Sequence, residues 1–261
     1  MHPSCQDSFC FRPEDLQRAM AIQTRKITDS CRDSDCIEDL RVYLTAESQA
    51  LLEASPGAKV RCAELIYASV EVSPVAFNRN QYCVDLTFYY RILADSQSGC
   101  CRPGVMCGLA TFSKRAVLCG ESSAVRRFAS DDSLCPCREQ MPRAVVEVLE
   151  PMVLSSRVMT VCQPESCMPQ IPPQVRQCFD SELVTGGGSP RLYVTLGQFS
   201  VIRLERDAQL IVPVLDYAIP TKECRCDPGC AEDPCEVFSR IPFPADAFAP
   251  GGCCPEGNDQ T

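Results

Sequence analysis

Tyr82-Cys83-Val84-Asp85-Leu86-Thr87-Phe88-Tyr89-Tyr90-Arg91-Ile92 alternates between two kinds of residue. Tyr82, Val84, Leu86, Phe88, Tyr90 and Ile92 fall on one side, opposite Cys83, Asp85, Thr87, Tyr89 and Arg91. A period of two is the signature of a strand with one face in a core. The stretch predicts a half-buried strand with Tyr82, Val84, Leu86 and Phe88 turned inward.

On either side the same period returns. Val60 to Val72, Gly104 to Phe112 and Arg115 to Gly120 read as its partners. Pro74, Asn78-Arg79-Asn80 and Ser98-Gly99 divide them, residues that favour turns. Further on, Ala144 to Leu149 reads as a strand before Pro151, and Gly186-Gly187-Gly188-Ser189-Pro190 as a linker or long turn. Leu192 to Leu204 and Gln209 to Ile219 then form an expected strand pair joined across Glu205-Arg206-Asp207. Pro213 gives the second of these an edge position or a bulge. No long helical pattern separates the strands, so the expectation is antiparallel β-sandwich units. Residues 58–140 would make the first unit and 141–222 the second. Glu71-Val72 before Pro74 and Glu147-Val148 before Pro151 echo one another, which leaves duplication open.

The first 57 residues predict a helical arm. Pro13-Glu14-Asp15 suits a first helical turn, with proline at its start and acids at the positive end of the dipole. Leu16, Ala19, Met20, Gln23 and Ile27 share a stripe at helical spacing. Thr45-Ala46-Glu47-Ser48 caps a second short helix through Leu51-Leu52, stopped by Pro56-Gly57. Leu40, Val42 and Leu44 between them fit strand or helix. Residues 223–261 read as a Cys-rich tail.

At 45% hydrophobic and 23% charged, 261 residues suffice for a core. A net charge of -9 argues against nucleic acid. The basic pairs Arg25-Lys26, Lys114-Arg115 and Arg126-Arg127 read as solvated faces. No run approaches the ~18 apolar residues of a membrane helix. Met1-His2-Pro3-Ser4-Cys5-Gln6-Asp7 has neither a basic nor an apolar region, so it does not read as a secretory signal.

The chain holds 21 cysteines, one histidine and no tryptophan. Cys5/Cys10, Cys31/Cys36, Cys162/Cys167 and Cys230/Cys235 share the spacing Cys-x4-Cys, and Cys100-Cys101 and Cys253-Cys254 are adjacent. Cys224, Cys226, Cys230 and Cys235 supply four thiols in one short stretch, enough for a tetrahedral thiolate site. They lack the two-residue knuckle, and His2 is the sole imidazole. No Cys-x-x-Cys points to a redox catalyst or an iron-sulfur cluster. No Gly-x-Ser-x-Gly and no phosphate loop occurs. The acids Glu147 and Glu150, and Asp131-Asp132, read as surface charge. The expectation is therefore no enzyme and no cofactor.

Crosslinking fits the cysteines better. A bridge across Cys-x4-Cys closes a short loop, worth roughly 2 kcal/mol in the loop-entropy model. Adjacent cysteines strain a bridge to each other, so Cys100, Cys101, Cys253 and Cys254 are expected to seek partners in other subunits. An odd total leaves at least one thiol free or paired between chains. Cys62, Cys83 and Cys119, set in strand patterns, also fit a role as small buried apolar groups.

Four stretches carry a resemblance: Asp29-Ser-Cys-Arg-Asp-Ser-Asp-Cys-Ile-Glu-Asp-Leu-Arg-Val-Tyr-Leu-Thr45, Pro74-Val-Ala-Phe-Asn-Arg79, Val84-Asp-Leu-Thr-Phe-Tyr-Tyr-Arg91 and Leu192-Tyr-Val-Thr-Leu-Gly-Gln-Phe-Ser-Val-Ile-Arg203. They resemble an uncharacterised cysteine-containing family of anaerobic spore-forming bacteria. The family carries no established activity. The resemblance implies a lineage, and against its pattern Cys83, Cys100, Cys101 and Cys107 are additional. The spore connection, an inference from that lineage, would reconcile abundant cysteine with a leaderless chain, because a spore surface oxidises after the mother cell lyses.

Two functions follow as expectations. The first is a self-assembling structural subunit of a disulfide-crosslinked surface fibre or lattice, of the spore coat or appendage type. Its partners would be copies of itself and other spore-surface proteins, and it would reach the surface after release from the cytosol. The second is a soluble metal- or thiol-handling module with Cys224, Cys226, Cys230 and Cys235 as ligands.

Overall fold

The computed structural model describes residues 19–78, 80–96, 104–121, 141–161, 170–186 and 189–213. Strands dominate: β1 (Ala19–Leu44), β2 (Ala58–Pro74), β3 (Gln81–Ser96), β4 (Val105–Cys119), β5 (Arg143–Val148), β6 (Met152–Met159) and β7 (Arg191–Pro213). Two short helices, α1 (Ala46–Ala54) and α2 (Pro173–Arg176), complete them. The chain divides into a main unit, Arg25–Ala208, and a unit built from both ends, Met1–Thr24 with Gln209–Thr261. Of the latter, the described residues are strand; all that follows concerns the main unit.

One antiparallel sheet runs β2-β3-β4-β1-β7-β5, with β6 also on β7. The alternating stretch is β3, at the middle of a meander. It pairs with β2 from Ala58↔Ser96 to Pro74↔Tyr82 and with β4 from Gln81↔Cys119 to Asp95↔Val105. Tyr82, Val84, Leu86, Phe88, Tyr90 and Ile92 are all buried, as the period of two requires. At the β2–β3 turn Val75 N–H donates to Gln81 O (2.9 Å). β5 and β6 follow each other along one edge of β7, on Ser200–Glu205 and Arg191–Gly197 respectively. Pro151 separates them because it has no N–H to give the ladder.

The inner faces of β3 and β7 share one core. Val84, Leu86, Phe88, Tyr90 and Ile92 cluster with Leu192, Val194, Leu196, Ile202 and Leu204, joined by Val42 and Leu44 of β1 and Leu52 of α1. Across it Tyr90 Oη–H donates to Gln198 Oε1 (2.5 Å), and burial pushes the tyrosine hydroxyl pKa well above its ordinary value. The outward edge of β2 approaches the β5–β6 edge, where side chains replace the ladder. Val60 N–H donates to Ser156 Oγ and Leu65 N–H to Glu150 Oε2, both 3.3 Å. These bonds quiet edge donors that otherwise invite another strand.

Gly108 sits where β4 meets β1, at Leu44↔Gly108. A Cβ there would fall 2.7 Å from Val42 Cγ1 and 2.8 Å from Tyr43 O, so the close approach requires glycine. Thr45 ends β1 and caps α1, its Oγ1 accepting from Ser48 N–H (3.4 Å). On the outer face α2 covers Tyr43, Tyr89 and Leu109 with Ile171 and Val175.

Four expectations need correction. Ala19 to Leu44 is strand and not a helical arm, although α1 lies where the Thr45 cap put it; residues 1–18 lie outside the described ones. Along β7 the strand offers ladder partners that outweigh a short helical stripe, and Thr28 Oγ1 donates to Leu204 O (3.3 Å). Glu205-Arg206-Asp207 is no turn, since β7 runs straight through it. Gly104 to Gly120 likewise holds one strand where two were expected. Lys114 is not on a solvated face: its side chain is 11% exposed and turns inward.

Candidate functional site

The residues with chemistry to offer are the thiols. Among the described residues Cys31, Cys36, Cys62, Cys83, Cys107, Cys119 and Cys178 are all free, and none is fully buried. Strand alternation puts most of them outward. On β3, Val84 and Leu86 face the core, so Cys83 faces away from it. Cys62 and Cys107 flank Leu93 across β2, β3 and β4. Cys119 lies diagonal to Cys83, through Cys83↔Val117 and Gln81↔Cys119.

The sheet keeps Cys62 apart from Cys107, and Cys31 apart from Cys36. Two strand spacings, roughly 10 Å, separate Cys62 from Cys107. A disulfide needs Cα atoms within ~7 Å. Cys31 and Cys36 lie five residues apart on extended β1, roughly 16 Å at strand rise. The local bridge expected from their Cys-x4-Cys spacing is not made; that argument assumed a loop, and the chain there is a strand. The reading of Cys62 and Cys119 as buried apolar groups is corrected too, since both are exposed, and Cys83 is half-buried.

Around Cys107 the surface is organised. Its N–H donates to Ser48 Oγ (2.9 Å) and its carbonyl accepts from Thr45 N–H (3.0 Å). Arg91, on the neighbouring strand, binds Glu64 Oε2 through Nη2 (2.5 Å) and Nε (3.1 Å). Burial raises the Cys107 pKa, and the Arg91 charge offsets part of that rise. Cys178, just past α2, donates its Sγ–H to Gln174 O (3.4 Å) and also lies within the field of Arg91. Cys31 is raised by burial first and then by Asp33.

A raised pKa leaves less thiolate, the reactive form. Cys36, Cys62, Cys119 and Cys178 are exposed while Cys31 and Cys107 are half-buried, so under brief alkylation at neutral pH the four exposed thiols are expected to label several-fold faster than Cys31 and Cys107. Peptide mass mapping over time measures this; Cys107 labelling first would contradict the arrangement.

Among the described residues no group of three or more His, Cys, Asp or Glu side chains is placed to hold a metal. Cys5, Cys10, Cys100, Cys101, Cys162, Cys167, Cys224, Cys226, Cys230, Cys235, Cys253 and Cys254 lie outside the described residues. No helix among the described residues is long and apolar enough to cross a membrane. The outward thiols of Cys62, Cys83 and Cys107 went unpredicted as a set, although β3 alternation already sent Cys83 and its face outward. Glu150, read as surface charge, is exposed and also accepts from Leu65 N–H at the β2 edge. Comparison with family models, curated proteins and solved structures finds no match.

Proposed function

We propose that this chain is a self-assembling structural subunit, locked by disulfides into a fibre or lattice on a spore or cell surface. In this reading the two halves of the sheet act as a sandwich-like body, and sulfur on the outside supplies the joints. One observation carries it: six of the seven described thiols sit on strands, none of the seven is bridged, and Cys36, Cys62, Cys119 and Cys178 are exposed. An exposed thiol with no bridge among the described residues is available to pair with a second molecule under oxidising conditions. Cys100, Cys101, Cys253 and Cys254 join this set as adjacent pairs that need separate partners. Cys5/Cys10, Cys162/Cys167 and Cys230/Cys235 would stiffen one subunit locally.

Covalent joints make an assembly independent of concentration. The oxidised full chain in denaturant without reductant is expected to run as a ladder of multimers, collapsing to monomer on reduction. Mass mapping should find intermolecular peptides containing Cys100 or Cys101, Cys253 or Cys254, and the exposed strand thiols. Complete dissociation in denaturant alone would overturn the crosslinking role.

A further inference from the structure

A groove of about 720 Å³ opens where β1, β7 and β5 lie together. Its lining includes Leu149, Phe199 and Val201, three large apolar side chains that stay 65%, 47% and 40% exposed. Charged neighbours are Arg32, Asp33 and Glu147. The acids are already matched. Asp33 Oδ2 accepts from Lys114 Nζ (3.2 Å), and Glu147 Oε2 lies 2.7 Å from Arg203 Nη1. Arg32 is different: among the described residues it has neither a hydrogen bond nor an ion pair.

The groove therefore presents wet apolar surface beside a guanidinium with no partner among the described residues. Its volume falls in the range of small-molecule sites, which are mostly apolar with a few polar groups that fix orientation. We propose that it binds a small organic monocarboxylate with an apolar body. The carboxylate would sit on Arg32, whose forked donors match its two oxygens. The hydrocarbon would lie along Phe199, Leu149 and Val201 and remove their surface from water. Glu147 and Asp33 supply the selectivity, because a second carboxylate on the ligand would meet one of them. This proposal is independent of the assembly reading.

The test uses the full chain under reducing conditions and four probes: octanoate, octanol, octylammonium and suberate. Binding is followed by isothermal titration and ligand-observed NMR. Octanoate is expected to bind saturably, with octanol, octylammonium and suberate each about tenfold weaker or more. Arg32→Gln, at an exposed position, should weaken octanoate about tenfold while leaving octanol unchanged. Phe199→Ser should weaken both. Equal binding of octanol and octanoate, an unchanged affinity in Arg32→Gln, tighter binding of octylammonium, or no saturable octanoate binding would each overturn the proposal.

Discussion

Phe88→Ala is expected to lower the unfolding free energy by about 3–5 kcal/mol. Phe88 is fully buried at the centre of the meander. Its ring stacks near Tyr90 (6.4 Å between centroids) and Phe112 (6.2 Å), and Lys114 Nζ stands 5.8 Å from its centroid. Truncation removes the transfer term and leaves a cavity that the three paired strands cannot fully collapse to fill. The loss should exceed that from Thr87→Ala, one residue away on the outer face, where a single hydroxyl contact to Ser113 Oγ (2.9 Å) is at stake. Guanidinium unfolding with reductant present separates the two. Equal losses at positions 87 and 88 would mean that the alternation does not mark the core.

How much the sequence discloses depends on whether one local rule governs a segment. β3 is legible because its neighbours on both sides are strands, so one face must be apolar throughout. β1 is not, because its placement depends on β4 and β7, distant in sequence, while its own residues carry a helical stripe. The Arg203–Asp207 segment of β7 misleads for a related reason. A charged triplet usually marks a turn, but Glu205 is buried with Arg203 Nε 2.8 Å away, and the pair lets charge remain inside a strand. The same holds for Lys114 in β4. Cysteine spacing carried the least. Cys-x4-Cys implies a local bridge only if the intervening chain bends, and on β1 it does not.

Lys114→Met is expected to cost about 3–5 kcal/mol, although methionine nearly matches the lysine stem in shape. Lys114 pairs in the sheet with Leu86, an inward residue, so its ammonium ends inside the fold. There it donates to Asp35 Oδ2 (2.5 Å), Asp33 Oδ2 (3.2 Å) and Ser200 Oγ (3.0 Å). The Asp35 side chain is 16% exposed, so water screens the pair poorly. Removing the lysine strands a carboxylate in that site, and the cost comes from the orphaned charge more than from the lost attraction. That account makes a sharper demand than the single variant does. Adding Asp35→Asn to Lys114→Met takes away the orphan, so the double variant should recover part of the loss, and unfolding curves of the parent, both singles and the double measure the coupling. A Lys114→Met loss within about 1 kcal/mol, in the range typical of exposed pairs, would mean that the ammonium is solvated and that β4 does not turn Lys114 inward. A double variant no more stable than Lys114→Met would locate the damage in packing against Phe88 rather than in charge.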